Sequence, residues 1–422
     1  MGISEFRQIK ERHIVCDNLS DLDTYVNKKV KVNVYIDGPL YLYIGCVNSN
    51  IDLDDCTTYN SLKVAESAAA FIYNTVAKIQ KYRKILNVYV YFDGKRPAAK
   101  MATVKKRLRE FKCKMEDGEE IYLEKKISLD VKEATFHLCN ILNTHNYLMC
   151  NLEIGESEHE MITHRNVNFP SIILTDDSDA FHIAYGYEDM TCNDYIFICT
   201  RKLQQMYNIH KLQKELRMPK AAFALLCFLR GSDFTTSTFT STMVNVILEE
   251  FKNPLNKIVK SMCNQLLTFS RSERNIAMKN QASPPIIKNN YNQNNTEIEP
   301  VYTERDVIDM IRSFLLILLR SKKQFRWNSF DKSIYCDHMD VAISAIQEHV
   351  KCLTWALNYS LIGCKFSEYN EPVNMPPKIE HFLFYHLVLD QEYDVLIYGI
   401  NHFETYDYEA FKPLVLNYHE DF

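Results

Sequence analysis

Three segments of the chain share one pattern, a run of β-branched or aromatic residues that stops at an acid. VKVNVYIDG reaches Asp37, ILNVYVYFDG reaches Asp93, and FPSIILTDDSD reaches Asp177 and Asp179. Between the first two, NSLKVAESAAAFIYNTVAKIQKYRKI repeats apolar residues at intervals of three and four, which predicts a helix. Because strand and helix alternate, we predict an α/β fold with a central, largely parallel sheet flanked by helices.

Two further stretches add acids to this pattern. LMCNLEIGESEHEM has a short apolar run, then Gly155, then Glu156 and Glu158 at the start of a predicted helix. KAAFALLCFLRGSDF predicts an apolar helix that stops before Asp233. The functional crevice of an open parallel sheet lies at the carboxyl ends of its strands, so the acids should converge there. The predicted cluster contains seven carboxylates: Asp37, Asp93, Glu156, Glu158, Asp177, Asp179 and Asp233.

Seven carboxylates in one crevice require cations, because like charges resist ionising together. Hard oxygen ligands favour Mg²⁺, with Mn²⁺ as the alternative. Two such ions about 4 Å apart are the usual arrangement for in-line hydrolysis of a phosphodiester. Any one of these aspartates alone is better explained as a turn or strand-end cap, so the prediction depends on the joint pattern.

A zinc site is a competing interpretation of EIGESEHEMITH (153–164), where HEMITH is similar to the two-histidine helix motif H-E-x-x-H. The spacing does not fit, because His159 and His164 are five positions apart and the motif needs four to place both on one helical face. A solvated acidic helix start, which the helix dipole favours, is the plainer alternative.

A basic segment directly follows Asp93. GKRPAAKMATVKKRLREF has seven basic residues and no acid between positions 95 and 109. Proline favours a helix start, and positions 100 and 107 then lie on nearly one face. We therefore predict that Lys100, Lys106 and Arg107 bind phosphate, although a solvated charged helix face is the ordinary explanation of such a run.

Composition limits the remaining classes. The net charge of −5 argues against a surface that coats nucleic acid, and thirteen cysteines without a C-x-x-C pair argue against a zinc knuckle. The apolar run FLLILL is too short to span a bilayer, so we expect no membrane partner. With no secretion signal apparent, we expect an intracellular protein of the cytoplasm or nucleus.

These stretches resemble the metal-dependent 5′-nucleases, the superfamily of flap endonucleases and of the Xrn 5′→3′ exoribonucleases. FDGKRPAAKMATVKKRLREF is similar to the Xrn segment D-G-x-x-P-x-A-K-M, and GESEHEMI is similar to the box G-E-G-E-H-K-I. LTDDSDAF, LLCFLRGSDF and the opening MGISEFRQIKERHI also resemble Xrn segments. The resemblance covers residues 1–240 and, with HVKCLTWALNYSLIGCKFSEYNEPVNMPP, 340–378. The chain is short beside cellular members, which suggests a compact viral relative.

The resemblance implies roles for single residues. The seven carboxylates become metal ligands or groups that orient them, while Lys100 and Arg107 match residues that contact the scissile or terminal phosphate. Tyr43 matches an aromatic ring that stacks on a base, although a core tyrosine is equally compatible, and Tyr369 is a second stacking candidate. Val104 stands where Xrn enzymes have glutamine, and Leu108 where they have arginine, which puts strict selection of a 5′-monophosphate in doubt.

The predicted function is a Mg²⁺-dependent 5′→3′ exonuclease that acts preferentially on single-stranded RNA. A structure-specific nuclease on DNA flaps is the alternative, and FTTSTFTSTMVNVI after Asp233 lacks the glycines with which that branch grips duplex DNA. An inactive relative that only binds nucleic acid is the third interpretation. We predict a catalytic core at 1–275, a flexible polar linker at 276–300 and a mostly helical C-terminal part at 301–422 that completes the substrate channel.

Overall fold

The chain forms two compact units, one built on residues 14–212 and the other on residues 213–422. The predicted division near residue 275 stays a prediction, because little of the sequence around it is described. The computed structural model describes residues 16–49, 58–94, 131–152, 155–187, 195–201, 203, 205–232, 234–253, 259, 302–321, 330–362, 382 and 405–406.

A seven-stranded sheet is the centre of the first unit. All three acid-terminated runs of the sequence form strands in it, as predicted. The strands are β1 (Cys16–Asp17), β2 (Val32–Asp37), β3 (Ile85–Phe92), β4 (Leu148–Asn151), β5 (Ser171–Leu174), β6 (Ile196–Cys199) and β7 (Met206–Asn208).

The strand order, β1-β7-β6-β5-β2-β3-β4, places β2 between β3 and β5. The strands from β2 to β6 are parallel, and only β7 pairs antiparallel with its neighbours β6 and β1. The chain runs outward from β2 through β3 to β4, then returns to the other side of β2 with β5 and β6. This reversal makes the carboxyl ends of β2 and β5 the topological switch point, where open α/β sheets bind ligands.

Strand β2 is mostly apolar or aromatic, with Asn33 and Asp37 as its polar residues. All six of its residues are buried, as expected for a central parallel strand covered on both faces. Val32, Val34 and Ile36 belong to one hydrophobic core with the helices of that face. Tyr35 points to the opposite face and stacks on Tyr89, with ring centroids 5.0 Å apart.

Helices cover the sheet, and the predicted helix between the first two strands is confirmed as a 23-residue element. The helices that follow these strands pack their apolar residues into the core. The helices described up to residue 216 are α1 (Leu22–Tyr25), preceded by a 3₁₀ turn at Leu19–Asp21, α2 (Gly38–Asn48), α3 (Thr58–Gln80), α4 (Val131–Asn143), α5 (Ser157–Thr163), α6 (Asp179–Tyr187) and α7 (Ile209–Leu216).

Gly38 lets helix α2 begin directly at the end of β2. A Cβ atom there would overlap the Phe92 ring and lie 2.7 Å from the carbonyl oxygen of Tyr91. Glycine is therefore the residue that allows α2 to start against β3, immediately after Asp37.

The second unit is mostly helical in the part that is described. Its apolar helix ends at Leu229, and Gly231 follows with φ +96°, close to the predicted stop. The ring of Phe234 packs edge-on against Trp355 and Tyr359. The elements are α8 (Lys220–Leu229), α9 (Ser241–Phe251), α10 (Glu304–Arg320), α11 (Lys332–Ile362), β8 (Phe330–Asp331) and β9 (Thr405–Tyr406).

These elements confirm the predicted fold class, an α/β protein with a largely parallel central sheet flanked by helices and a mostly helical C-terminal part. Across the described ranges, no helix is both long enough and apolar enough to cross a membrane.

Candidate metal-binding carboxylate site

The carboxyl ends of three neighbouring strands each deliver an acid, as predicted. Asp37 is the last residue of β2, Asp93 directly follows β3, and Asp177 lies three residues beyond β5. Glu156 is the N-cap residue of α5 and Glu158 its second residue. Helix α5 packs near β2 and β3, so these five acids come to one end of the sheet.

Two buried hydroxyl groups hold the carboxylate of Asp37. Ser157 Oγ donates to Asp37 Oδ1 at 3.2 Å, and Thr175 Oγ1 donates to Asp37 Oδ2 at 3.1 Å. Ser157 also approaches Glu158 Oε2 at 3.4 Å, while its backbone N–H donates to Asp93 Oδ1 at 3.0 Å. One serine thus contacts three carboxylates that come from β2, the end of β3 and α5.

Backbone contacts bring the ends of β3 and α5 together. The N–H of Gly94 donates to the carbonyl oxygen of Gly155 at 3.0 Å. Gly155 has φ +114°, a conformation that side chains with a Cβ rarely adopt. The glycine before Glu156 therefore fixes the turn that presents Glu156 and Glu158 beside Asp93.

The loop after β5 orients its two predicted aspartates differently from their neighbour. The N–H of Asp177 donates to Thr175 Oγ1, and the N–H of Asp179 donates to Asp177 Oδ1, both at 3.0 Å. Asp176 instead accepts from the backbone of Arg201 and pairs with its guanidinium at 2.9 Å. Asp177 thus belongs with the carboxylate group, whereas Asp176 is neutralised by a cation.

The acids at this end of the sheet repel one another, and this repulsion raises the pKa of two of them. Burial, with the charges of Asp93 and Asp177, raises the pKa of Asp37 to about 7. Burial and the nearby Asp37 and Asp177 raise the pKa of Glu158 well above its usual range. These carboxylates would gain from a positive charge among them.

Burial and neighbouring groups also shift the pKa of Glu160 on α5 and of His182 on α6. Burial alone would raise the pKa of Glu160, but the imidazoles of His159 and His164 outweigh it and lower that pKa to about 2. His164 Nδ1 lies 2.6 Å from a Glu160 oxygen. Burial lowers the pKa of His182 to about 3, against the charge of Asp177, so this imidazole is neutral at neutral pH.

The roles of the remaining predicted site residues stay predictions. Asp179 is the first residue of α6 and is buried. Tyr43 is half-buried on α2, the helix that begins after Asp37. The predicted residues that lie outside the described part of the chain are Lys100, Lys106, Arg107, Asp233 and Tyr369.

Carboxylate oxygens are the ligand type that hard divalent cations bind, and the charges of these buried acids repel one another. Within the described residues, no three acidic, histidine or cysteine side chains converge into a ready-made cage for a metal ion. Hydrogen bonds and electrostatic repulsion link five of the acids, and Asp179 is linked to this group through Asp177. The five acids are Asp37, Asp93, Glu156, Glu158 and Asp177.

Comparison with known proteins gives similarity only at the level of solved structures. No family model matches the chain, and no curated protein matches it. The catalytic core of Rad2 in complex with DNA substrate is 16% identical over 74% of this chain and 93% of that chain, with a TM-score of 0.38. A second Rad2 complex is 15% identical over 81% and 99%, with a TM-score of 0.39.

The D15 protein of bacteriophage T5, co-crystallised with metal ions, is also similar. It is 12% identical over 78% of this chain and 99% of that chain, with a TM-score of 0.35. Because these identities and TM-scores are low, a function for this chain has to be argued from its own residues.

Sequence reasoning missed the two hydroxyl groups on Asp37. Both residues are close to predicted site acids in the sequence. Ser157 stands between Glu156 and Glu158, and Thr175 is two residues before Asp177. A serine or threonine beside an acid is too common a pattern to signal a contact. The contact depends on strand pairing that places β2 beside β5.

Proposed function

We propose that this chain is a divalent-metal-dependent nuclease that hydrolyses phosphodiester bonds from the 5′ end of a nucleic acid. The observation that carries the proposal is the group of carboxylates at the switch point of the sheet, in which the acids raise the pKa of Asp37 and Glu158. A protein gains no stability from buried acids that repel one another, so a ligand cation is the physical reason to keep them.

The acids that would hold the cations come from separate elements. Mg²⁺ or Mn²⁺ ions bound there would supply the charge that stabilises the attacking and leaving oxygens of the phosphodiester. The fixed carboxylate of Asp37, with a hydroxyl donor on each oxygen, would keep one side of the site rigid. The proposed ligands, or groups that orient them, are Asp37, Asp93, Glu156, Glu158, Asp177, Asp179 and Asp233.

The substrate contacts are proposed from the sequence. Lys100, Lys106 and Arg107 would hold the 5′ phosphate, close in sequence to Asp93. Tyr43 would stack on the first base, and its half-buried position on the helix after Asp37 is compatible with that role. Tyr369 is proposed as a second stacking residue.

Single-stranded RNA is the preferred substrate in this proposal, because the motifs resemble the Xrn branch most closely. The stretch from Asp233 to the end of α9 contains no glycine. This counts against the glycine-containing segment with which flap endonucleases bind duplex DNA. We also propose an intracellular location. The odd number of cysteines, thirteen, is the sequence feature on which this proposal rests.

The test compares four matched substrates with Mg²⁺ or with EDTA. These are single-stranded RNA with a 5′ phosphate, the same RNA with a 5′ hydroxyl, single-stranded DNA, and a DNA flap. The wild type should release mononucleotides from the 5′ end of RNA, and Asp177→Ala should not. Asp176→Ala is the matched control, because Asp176 pairs with Arg201 and should not be needed.

Each contrary result has a distinct meaning. Faster cutting of the flap than of single-stranded RNA would make the flap nuclease the better assignment. Mg²⁺-dependent binding without cleavage of any substrate would favour an inactive nucleic-acid-binding relative. Equal activity of Asp177→Ala and the wild type would contradict the proposed site itself.

A further inference from the structure

Ser157 differs from the other residues of the site because it is a neutral donor among acids. Its side chain is fully buried, with 0% exposure, at the first position of α5. In the box G-E-G-E-H-K-I that this stretch resembles, a glycine stands at the same position. A hydroxyl group in this place is therefore a feature of this chain that the resemblance does not explain.

The contacts of Ser157 separate into two kinds. Its backbone N–H donates to Asp93 Oδ1, a bond that any residue other than proline would retain. Its hydroxyl lies 3.2 Å from Asp37 Oδ1 and 3.4 Å from Glu158 Oε2. Only the hydroxyl contacts depend on serine.

A hydroxyl group has one proton, so Ser157 donates fully to one of the two carboxylates or shares the proton between them. In either case the positions of Asp37 and Glu158 are coupled through one atom, although one acid comes from β2 and the other from α5. Without the hydroxyl, Asp37 Oδ1 loses this donor, and Asp37 keeps only the bond from Thr175 to its other oxygen.

We propose that Ser157 is a positioning residue, whose hydroxyl group sets the orientation of Asp37 relative to Glu158 for divalent cation binding. This inference rests on the proposed metal-dependent function. Hydrogen-bond partners of metal-binding groups typically change metal affinity by about 10- to 100-fold when they are removed. Because Asp37 retains Thr175, we expect the lower end of that range.

The experiment titrates Mn²⁺ alone into the full chain and follows free Mn²⁺ by electron paramagnetic resonance. The variants are Ser157→Ala, which removes only the hydroxyl, and Ser157→Gly, which restores the residue of the resembled box. Ser171→Ala is the matched control, since Ser171 is an equally buried serine at the start of β5, away from the carboxyl ends of the strands. Circular dichroism and thermal unfolding check that each variant is folded.

We expect both Ser157 variants to weaken Mn²⁺ binding about tenfold and Ser171→Ala to bind as the wild type does. In the nuclease assay, the Mg²⁺ concentration for half-maximal rate should rise by the same factor, with kcat at saturating Mg²⁺ changed less than about threefold. A merely structural role would not produce this split between metal requirement and kcat.

The outcomes separate this inference from the proposed function. If the wild type binds Mn²⁺ and cleaves, while either folded Ser157 variant matches it in metal affinity, the role of Ser157 is refuted and the nuclease proposal stands. A loss of kcat with unchanged metal affinity also overturns the inference. If the wild type neither binds Mn²⁺ nor cleaves, the proposed function is refuted, and so is the inference about Ser157, which rests on it.

Discussion

Two glutamates of one short helix, Glu158 and Glu160, occupy opposite electrostatic environments. The acids Asp37, Asp177, Asp93 and Glu156 surround Glu158, and with burial they raise its pKa. Glu160, two residues later and roughly 200° around the helix axis, meets two imidazoles that lower its pKa to about 2 in spite of burial. The same residue type on the same seven-residue helix is therefore repelled on one face and neutralised on the other.

The difference distinguishes an acid that is paired with a histidine from one that is surrounded by other acids. Glu160 has its counter-charge within the protein, in His164 at 2.6 Å, so its ionised form stabilises the folded state. The charged groups that shift the pKa of Glu158 are all acids. Among the described residues no cation offsets the acids around Glu158, and we propose that a divalent cation supplies this counter-charge.

The largest expected effect separates the two glutamates by activity. Glu158→Gln should reduce Mg²⁺-dependent cleavage more than about 100-fold, because it removes a proposed metal ligand. Glu160→Gln should keep the rate within about tenfold of the wild type, because that side chain is paired with His164. Single-turnover cleavage of the best substrate at saturating Mg²⁺ measures the rate of each variant. Equal losses of rate in Glu158→Gln and Glu160→Gln would contradict the proposed difference between the two glutamates.

The second effect concerns the stability of the protein without metal. In EDTA at pH 7, Glu158→Gln should raise the free energy of unfolding by about 1 to 2 kcal/mol, because it relieves repulsion among buried acids. Glu160→Gln should lower it by about 1 kcal/mol, a value discounted because the His164 side chain is 46% exposed. Urea unfolding provides the comparison, and destabilisation by Glu158→Gln would show that this acid supports the fold.

The third prediction is a pH dependence at the carboxylate site. The pKa of Asp37 in the folded protein, about 7, is above its ordinary value, so the folded state binds more protons than the unfolded state between these pH values. Asp37 therefore makes the metal-free protein less stable as the pH rises from about 4 through 7. Asp37→Asn should flatten this loss in thermal unfolding between pH 5 and 8. An identical pH slope in the variant would contradict the assigned pKa.

The smallest effect has the opposite sign and belongs to Glu160. Its pKa of about 2 lies below its ordinary value, so its stabilisation is complete above about pH 4.5 and is lost as the pH falls toward 2. Glu160→Gln should reduce the acid-induced loss of stability over that range, while at pH 7 the variant stays about 1 kcal/mol less stable than the wild type. Thermal unfolding in steps from pH 5 to 2.5 would detect the change.

Much of the scaffold could be predicted from the sequence, because it follows from local patterns. The strands before Asp37, Asp93 and Asp177 are apolar runs that end at acids, and the structure places these acids at one end of a parallel sheet. Glu160 and His164 are four residues apart, a spacing that also fits an ion pair on one helical face, although the acid-terminated pattern predicts no role for either residue.

The interior of the site could not be predicted in the same way. The bonds from Ser157 and Thr175 to Asp37 join residues 120 and 138 positions apart, and no local pattern encodes such a contact. Nor does sequence spacing show which acid of TDDSD turns toward Arg201. These choices depend on tertiary packing.

The most direct measurement of the central claim is isothermal titration of Mg²⁺ into the wild type and Asp37→Asn at pH 7, in two buffers of different ionisation enthalpy. Because the repelled acids hold protons near neutral pH, cation binding should release them, and the heat should differ between buffers for the wild type. Asp37→Asn should bind at least about tenfold more weakly and release fewer protons. Binding in the variant with wild-type affinity and proton release would contradict a metal site at the carboxyl ends of these strands.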